Sequence, residues 1–212
     1  MPHTLDVRCP SCGEPAYFEF AEIARIREKK DIPFFQENDQ FDYLLCKDSC
    51  GHRWHAAVYY AGLHGRTVDT IRELPEGYER SDWAHSKYLY RGSGLDSGSV
   101  TCPSCCLHRR HDLQWPHNAF FQVEFKRELL WAFNLESAIE LRDYITSPNR
   151  DRSGYKWRSF LMKIPKKFLL QGARDTVSKR LEKIIAQYQN GSNKSVVATA
   201  DKPASSLRSG RL

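Results

Sequence analysis

The sequence predicts an α+β fold in which short β-hairpins precede a helical C-terminal region. Segments rich in β-forming residues flank three closely spaced cysteine pairs in the first two thirds of the chain. Apolar residues recur with helical spacing in the last third. The 212 residues are 41 % hydrophobic and 12 % aromatic, which suffices for a packed core in one domain or two small ones.

The first section, residues 1–60, is predicted to consist of strands joined by cysteine turns. One strand pair spans Leu5 to Phe20, with a turn between Val7 and Gly13. The segment from Ala21 to Lys30 reads as a short amphipathic helix or an extended arm, which Pro33 ends. A second strand pair, residues 41–45 and 54–60, flanks the next cysteine turn.

Residues 61–101 contain many glycines and little periodicity, and they predict a loop-rich connection with one short element from Trp83 to Tyr90. The section 102–134 begins with the third cysteine pair. The alternation of Phe121, Val123 and Phe125 with polar residues then predicts a β-hairpin that turns near residues 126–128.

Helices are predicted for the section 135–189. Asn134 is placed to cap a helix that ends before Pro148, and a second helix runs from Ala173 to about Tyr188. The remaining residues, 190–212, are rich in Ser, Asn and Gly and are expected to form a disordered tail.

The cysteines predict a metal site. The first residues, Met1 to Asp6, have neither the basic start nor the apolar run of a secretory signal, so we expect a cytoplasmic protein. No apolar run approaches the length of a membrane span, so we expect no membrane partner.

In a reducing compartment, closely spaced cysteines favour metal ligation over disulfides. Zinc prefers four tetrahedral ligands from thiolates and imidazoles, and cysteines at the spacing of Cys9 and Cys12 can both point at one ion.

One stretch resembles a known family. The residues Cys9-Pro-Ser-Cys12-Gly, followed by Cys46 and by Cys50-Gly-His-Arg-Trp54, resemble the zinc ribbons of transcription factors and of many small bacterial zinc proteins, over about residues 5–60. The resemblance implies one structural zinc ion bound by Cys9, Cys12, Cys46 and Cys50. Because the second pair has a wider spacing, His52 or His55 is an alternative for one cysteine.

The third pair, Cys102 and Cys105, requires further ligands, since three pairs cannot complete two four-cysteine sites. Four candidates follow closely: Cys106, His108, His111 and His117. For this pair we favour a second structural zinc site formed by Cys102, Cys105, His108 and His111. One zinc ion is expected from the first site, and a second ion is the open alternative. Another partition pairs Cys46 and Cys50 with Cys102 and Cys105, in a pattern that resembles zinc ribbons attached to nucleases, and leaves Cys9 and Cys12 without partners.

The sequence contains none of the glycine-rich phosphate loops, serine-hydrolase elbows or His-Glu-x-x-His motifs that mark common enzyme classes. We therefore expect no catalytic residue. The alternative is a metal-dependent nuclease, such as a toxin or defence effector. It would use either His111-Asp112 with His117-Asn118, or Asp112 with Glu124 and Lys126.

Charge is divided along the chain. Residues 1–150 carry 18 Lys and Arg against 22 Asp and Glu, whereas residues 151–212 carry 14 against 4. A basic region of this kind attracts phosphate backbones, although it also occurs as a plain solvated face. We expect nucleic acid as the partner, with a possible regulatory role, and a zinc-stabilised protein–protein adaptor as the alternative. The candidate contacts are Lys156, Arg158, Lys166, Lys167, Lys179 and Arg180.

Overall fold

The computed structural model describes residues 1–47, 50–85 and 96–200, the last nine of them by their backbone alone. The strands are β1 (Thr4–Arg8), β2 (Pro15–Phe20), β3 (Glu22–Arg25), β4 (Phe41–Lys47), β5 (Arg53–Tyr59), β6 (Ala84–His85), β7 (Ser97–Thr101), β8 (His108–Asp112), β9 (Gln122–Phe125) and β10 (Glu128–Trp131). The helices are α1 (Ile32–Glu37), α2 (Leu135–Thr146), α3 (Arg158–Leu161) and α4 (Gln171–Ala200). Short 3-10 turns occupy Lys29–Asp31, Ala61–Leu63, Val68–Thr70, Arg80–Asp82 and Lys166–Leu169.

The predicted α+β class is confirmed, because antiparallel sheets lie beside helices that follow them in the chain. The first sheet has the strand order β1-β2-β7-β8 and the second has the order β4-β5-β3-β6. All four strands of the second sheet therefore come from residues inserted between β2 and β7. No helix in the described part of the chain has the length and apolar character needed to cross a bilayer.

The main core lies under the first sheet. Apolar side chains of β1, β2, β7, the β9–β10 hairpin, α2 and α4 form one buried cluster, with Phe18, Phe121, Leu141 and Val177 fully enclosed. Helix α4 contributes to this cluster because its apolar residues recur every four positions and so fall on one buried face: Ala173, Val177, Leu181 and Ile185. The second sheet has separate clusters on its two faces, the larger centred on aromatic rings such as Phe35 and Tyr59.

Local signals explain the elements around the main core. The side chain of Asn134 accepts a hydrogen bond from the backbone N–H of Ser137, which caps α2 as the sequence predicts. The β9–β10 hairpin turns at Lys126 and Arg127, both with positive φ, which suits a two-residue hairpin loop.

Other elements differ from the prediction. Residues 22–25 form β3, which agrees with the extended alternative for the segment 21–30 and excludes a helix there. Pro33 lies in the first turn of α1, where a proline is tolerated, instead of ending an element. Strand β7 lies within the predicted loop-rich connection. Helix α4 continues to Ala200, into the predicted tail; residues 201–212 of that tail, and residues 86–90 of the short element predicted from Trp83 to Tyr90, lie outside the described residues.

Candidate metal centre

Two cysteine pairs lie at the tips of two hairpins of the first sheet. At the first tip, between β1 and β2, the backbone N–H of Cys9 donates to the carbonyl of Glu14 at 2.8 Å. At the second tip, between β7 and β8, the N–H of Cys102 donates to the carbonyl of Leu107 at 2.8 Å. The two turns are therefore closed by equivalent hydrogen bonds, in which the donor and the acceptor are five positions apart.

The positive-φ position of the two turns is also equivalent. In the first turn it is taken by Gly13, with φ of 77°, and in the second by Cys106, with φ of 57°. A glycine adopts this conformation readily, whereas a cysteine does so only when the surrounding turn imposes it. The second turn thus repeats the backbone of the first with a side chain at the least favourable position.

The pairing of β2 with β7 brings the two tips together. These strands are antiparallel from Tyr17 opposite Thr101 to Phe20 opposite Gly98, so that the cysteines beyond Thr101 come beside those before Pro15. Gly98 permits the close approach, since a Cβ atom there would lie 2.1 Å from the carbonyl oxygen of Glu19. The sheet, rather than sequence proximity, therefore assembles the site.

The four sulfur atoms of Cys9, Cys12, Cys102 and Cys105 lie within 4.8 Å of one another. The Sγ atom of Cys9 is 3.6 Å from that of Cys105, and the Sγ atom of Cys12 is 3.7 Å from that of Cys102. A tetrahedral zinc ion with Zn–S bonds of about 2.3 Å would separate its sulfurs by about 3.8 Å. The four cysteines could therefore hold a metal ion, and the geometry is compatible with zinc.

Each tip contributes one buried and one exposed cysteine. Cys9 and Cys102 are 3 % and 1 % exposed, whereas Cys12 and Cys105 face solvent. An ion bound between them would be anchored to the main core on one side and would be reachable by chelators on the other.

The neighbouring thiols and burial shift the pKa values of the clustered cysteines in different directions. Burial opposes the charge on Cys9, but the N–H groups of Cys12 and Ser11 and the neighbouring thiols outweigh it and lower the pKa of Cys9 to about 7. For Cys12, the N–H of Glu14 lowers the pKa, but partial desolvation and the neighbouring thiols outweigh it and raise the pKa to about 12. Burial raises the pKa of Cys102. The thiolate of Cys9 therefore forms easily, whereas those of Cys12 and Cys102 form with difficulty. A bound divalent cation would favour all of the thiolates, because metal binding releases their protons.

The grouping differs from the one that the sequence predicts. Cys9 and Cys12 are predicted to share an ion with Cys46 and Cys50, whereas the structure places them with Cys102 and Cys105. Cys46 lies on β4 of the second sheet, opposite Trp54, and Cys50 is exposed beyond the end of that strand. Asp48 and Ser49 lie outside the described residues.

The histidines predicted to complete a second site have other contacts. His108 Nε2 lies 2.8 Å from the carbonyl oxygen of Gly62, which can only accept, so this nitrogen carries a proton. His111 Nε2 lies 3.4 Å from Oδ1 of Asn118. His108 and His111 are absent from the sulfur cluster, and within the described ranges no second group of three metal-ligating side chains comes together. A second zinc ion stays a prediction.

One signal for the observed grouping is present in the sequence. The tetrapeptide Cys-Pro-Ser-Cys at 9–12 recurs at 102–105, and the structure gives both copies the same turn. The nearer pair at 46 and 50 lacks the proline and has a wider spacing. The repeated tetrapeptide therefore indicates which two cysteine pairs come together better than their separation along the chain does.

The predicted nucleic-acid contacts fall into two groups. Three have acceptors on neighbouring elements: Lys156 Nζ pairs with Glu136 at 2.8 Å, Lys167 pairs with Glu128, and Arg180 donates to the carbonyl of Glu124 at 2.7 Å. The other three, Arg158, Lys166 and Lys179, are exposed side chains on α3, on the turn before α4 and on α4.

The residues of the nuclease alternative lie on different elements. Asp112 ends β8 of the first sheet, Glu124 is exposed on β9, and Lys126 lies in the hairpin turn rather than on the strand, with its Nζ 5.4 Å from the ring centre of Phe125. Asn118 contacts His111, and His117 is exposed. The strand placement that the Glu-x-Lys pattern requires is therefore not found for Lys126.

Comparison of the chain with protein-family models, with curated proteins and with solved structures found no significant match.

Proposed function

We propose that this chain is a zinc protein whose ion has a structural role, and that it binds nucleic acid through its basic C-terminal region. The observation that carries the first part is the cluster of four sulfurs contributed by two separate hairpins. A site with four cysteine ligands has no open position for a substrate, and such closed sites stabilise folds. The ion would therefore fasten the two hairpins rather than perform chemistry.

The length of chain between the ligands gives the ion a large effect. Cys12 and Cys102 are 90 positions apart, and the second sheet lies between them. A cross-link that closes a loop of about this length stabilises a fold by about 4–5 kcal/mol in the chain-entropy estimate. Loss of the ion is therefore expected to weaken the β2–β7 pairing and the main core.

The distribution of charge supports the nucleic-acid part of the proposal. Residues 151–191 hold ten Lys and Arg and three Asp and Glu, and most of these cations are exposed. Since Lys156, Lys167 and Arg180 have partners within the protein, the exposed Arg158, Lys166 and Lys179 are better candidates for phosphate contacts. Such contacts would bind without reading sequence.

Removal of the metal tests the structural role. After treatment with a zinc chelator, the melting temperature should fall and should return when zinc is added back. Cys106→Ser is the matched control, because it changes a thiol beside the site that is outside the sulfur cluster, and it should keep the metal. An unchanged melting temperature after verified loss of the metal would show that the ion is not structural.

Charge reversal tests nucleic-acid binding. We expect Lys166→Glu with Lys179→Glu to weaken binding of DNA and RNA strands and to reduce the slope of log affinity against log salt by about 1.4–1.8, since two phosphate contacts are lost. The control is Lys29→Glu with Lys30→Glu, which changes net charge equally at exposed residues beside the second sheet. Equal effects of the two pairs would reject a binding face in the C-terminal region, and a stable co-purifying protein without nucleic-acid binding would favour the adaptor.

A further inference from the structure

An aromatic groove lies between the β9–β10 hairpin and α3. Its volume is about 370 Å³, and the rings of Trp131, Phe133, Trp157 and Phe160 line it. Phe133 and Phe160 are buried at its base, whereas Trp131 and Trp157 are only partly buried. The two indoles therefore present ring surface to any molecule that enters the groove.

The rings form one continuous cluster. The ring of Phe133 lies 5.0 Å from that of Trp131, 5.1 Å from that of Phe160 and 5.5 Å from that of Trp157, measured between centroids. Trp115 stacks behind Phe133 at 5.8 Å. Such a packed cluster holds the exposed indoles in place, so little side-chain entropy would be lost when a ligand stacks on them.

Trp157 is also fixed by hydrogen bonds that it donates to two carboxylates of α2. Its indole Nε1 donates to Glu136 at 3.1 Å, and its backbone N–H donates to Glu140 at 2.8 Å. The charge of Glu136 is balanced by its ion pair with Lys156. The groove is thus preformed in the protein.

The charged side chain that lines the groove is cationic, and the carboxylates of Glu136 and Glu140 lie behind Trp157 in hydrogen bonds with it. Lys163 lines it, and Arg158 and Lys166 are exposed neighbours in the chain of the lining residues Trp157 and Pro165. No acidic residue is among the described residues that line the groove. A ligand that matches both properties has a flat aromatic face and an anionic group beside it.

We infer that this groove binds a base of single-stranded nucleic acid, which stacks on the indole of Trp157 while its phosphates contact Lys163 and the adjacent cations. The inference rests on the proposed nucleic-acid binding and adds to it a preference for unpaired bases. A duplex keeps its bases stacked within the helix and would use only the phosphate contacts.

The test compares a thymidine octanucleotide with an abasic strand of the same length, at the same low ionic strength, by tryptophan fluorescence and by affinity. The full-length protein should bind the thymidine strand about tenfold or more tightly than the abasic one and should show quenching. Trp157→Leu should lose that preference. Trp157→Phe, which keeps a ring, should retain most of it, and Trp54→Leu on the second sheet should leave it unchanged. Zinc content and circular dichroism report whether each variant is folded.

The outcomes separate this inference from the proposed function. If the wild-type protein binds both strands equally and Lys166→Glu with Lys179→Glu weakens both, the base site is rejected and phosphate binding stands. If neither strand binds, both proposals fail. A wild-type preference that survives in the folded Trp157→Leu variant also rejects the groove as the base site. Quenching by an uncharged leucine-rich peptide but not by oligonucleotide would assign the groove to a protein partner instead.

Discussion

At the residue scale, the four clustered cysteines were all predictable as candidate metal ligands, because cysteines paired at this spacing in proline-containing turns can both point at one ion. Their grouping was not predictable from the pairs alone. The nearest pair along the chain, Cys46 and Cys50, has ligand-like spacing, yet it lies on another sheet. Which pairs could share an ion depends on strand pairing, and the signal for it in the sequence is the repeated Cys-Pro-Ser-Cys turn rather than the spacing of the pairs.

A second residue-scale feature is the buried carboxylate of Asp6, which the sequence did not single out. It is 6 % exposed on β1, and its Oδ2 accepts a hydrogen bond from the N–H of Leu135 at the start of α2. Burial raises the pKa of Asp6 to about 6, although the hydrogen bonds from Leu135 and Tyr188 oppose the rise. The carboxyl group links β1 to both α2 and α4.

The raised pKa predicts a pH dependence. The pKa of Asp6 is near 3.8 in the unfolded chain and about 6 in the folded protein, so at pH values between these two the folded protein holds the Asp6 proton and the unfolded chain releases it. The contribution of Asp6 to stability is thus fully present below pH about 4 and is lost as pH rises through about 6. The difference in unfolding free energy, Asp6→Asn minus wild type, should rise by up to about 3 kcal/mol over this range. Denaturant titrations at several pH values measure it, and a difference that stays constant from pH 4 to pH 7 would contradict the burial argument.

At the element scale, local patterns predicted the parts whose contacts are close in sequence. The alternation over residues 121–125 predicted the β9–β10 hairpin, and Asn134 predicted the start of α2. Strand β7 was missed because its sequence, Ser-Gly-Ser-Val-Thr, has one large apolar residue and gains its place only from pairing with β2 and β8. Long-range pairing of this kind leaves little local signal.

The close contact of Gly98 with β2 gives an element-scale prediction. Gly98→Ala should push β7 away from Glu19 and Phe18, because a Cβ atom there would lie 2.1 Å and 2.6 Å from their nearest atoms. We expect a loss of stability of about 1–3 kcal/mol and weaker zinc retention in competition with a chelator. Gly172→Ala at the start of α4 is the control, since its Cβ would meet nothing within 4 Å, and it should be neutral or stabilise by up to about 1 kcal/mol. If both variants retain zinc equally well, the β2–β7 contact does not position the site.

At the scale of the whole molecule, the second sheet is an insertion into the first. The chain leaves at Ala21 and returns at Ser97, where the N–H of Ala21 donates to the carbonyl of Ser97 at 3.0 Å. Because the ends of the insertion are adjacent, the first sheet can form as if they were joined directly. Further contacts connect the two sheets, including the ion pair of Arg110 with Asp42. The insertion separates the two pairs of the sulfur cluster by a long stretch of sequence, and for this reason the nearer pair, Cys46 and Cys50, was predicted as the partner.

The charge division also belongs to this scale. The cations concentrate on α3, α4 and the turn between them, whereas the four clustered cysteines lie at the tips of the first sheet. Metal binding and nucleic-acid binding can therefore be tested by separate variants. The proposal requires that charge reversal in the C-terminal region leave zinc content unchanged.

The central claim is that Cys9 and Cys12 share one ion with Cys102 and Cys105. The most direct measurement is zinc content per chain for the wild type, for Cys12→Ser, for Cys105→Ser and for the double variant. A shared ion predicts that each single variant lowers the retained zinc by the same one equivalent and that the double variant loses no more. Two separate sites, one for each cysteine pair, predict that the losses add, so a double variant that lacks two equivalents would contradict the account.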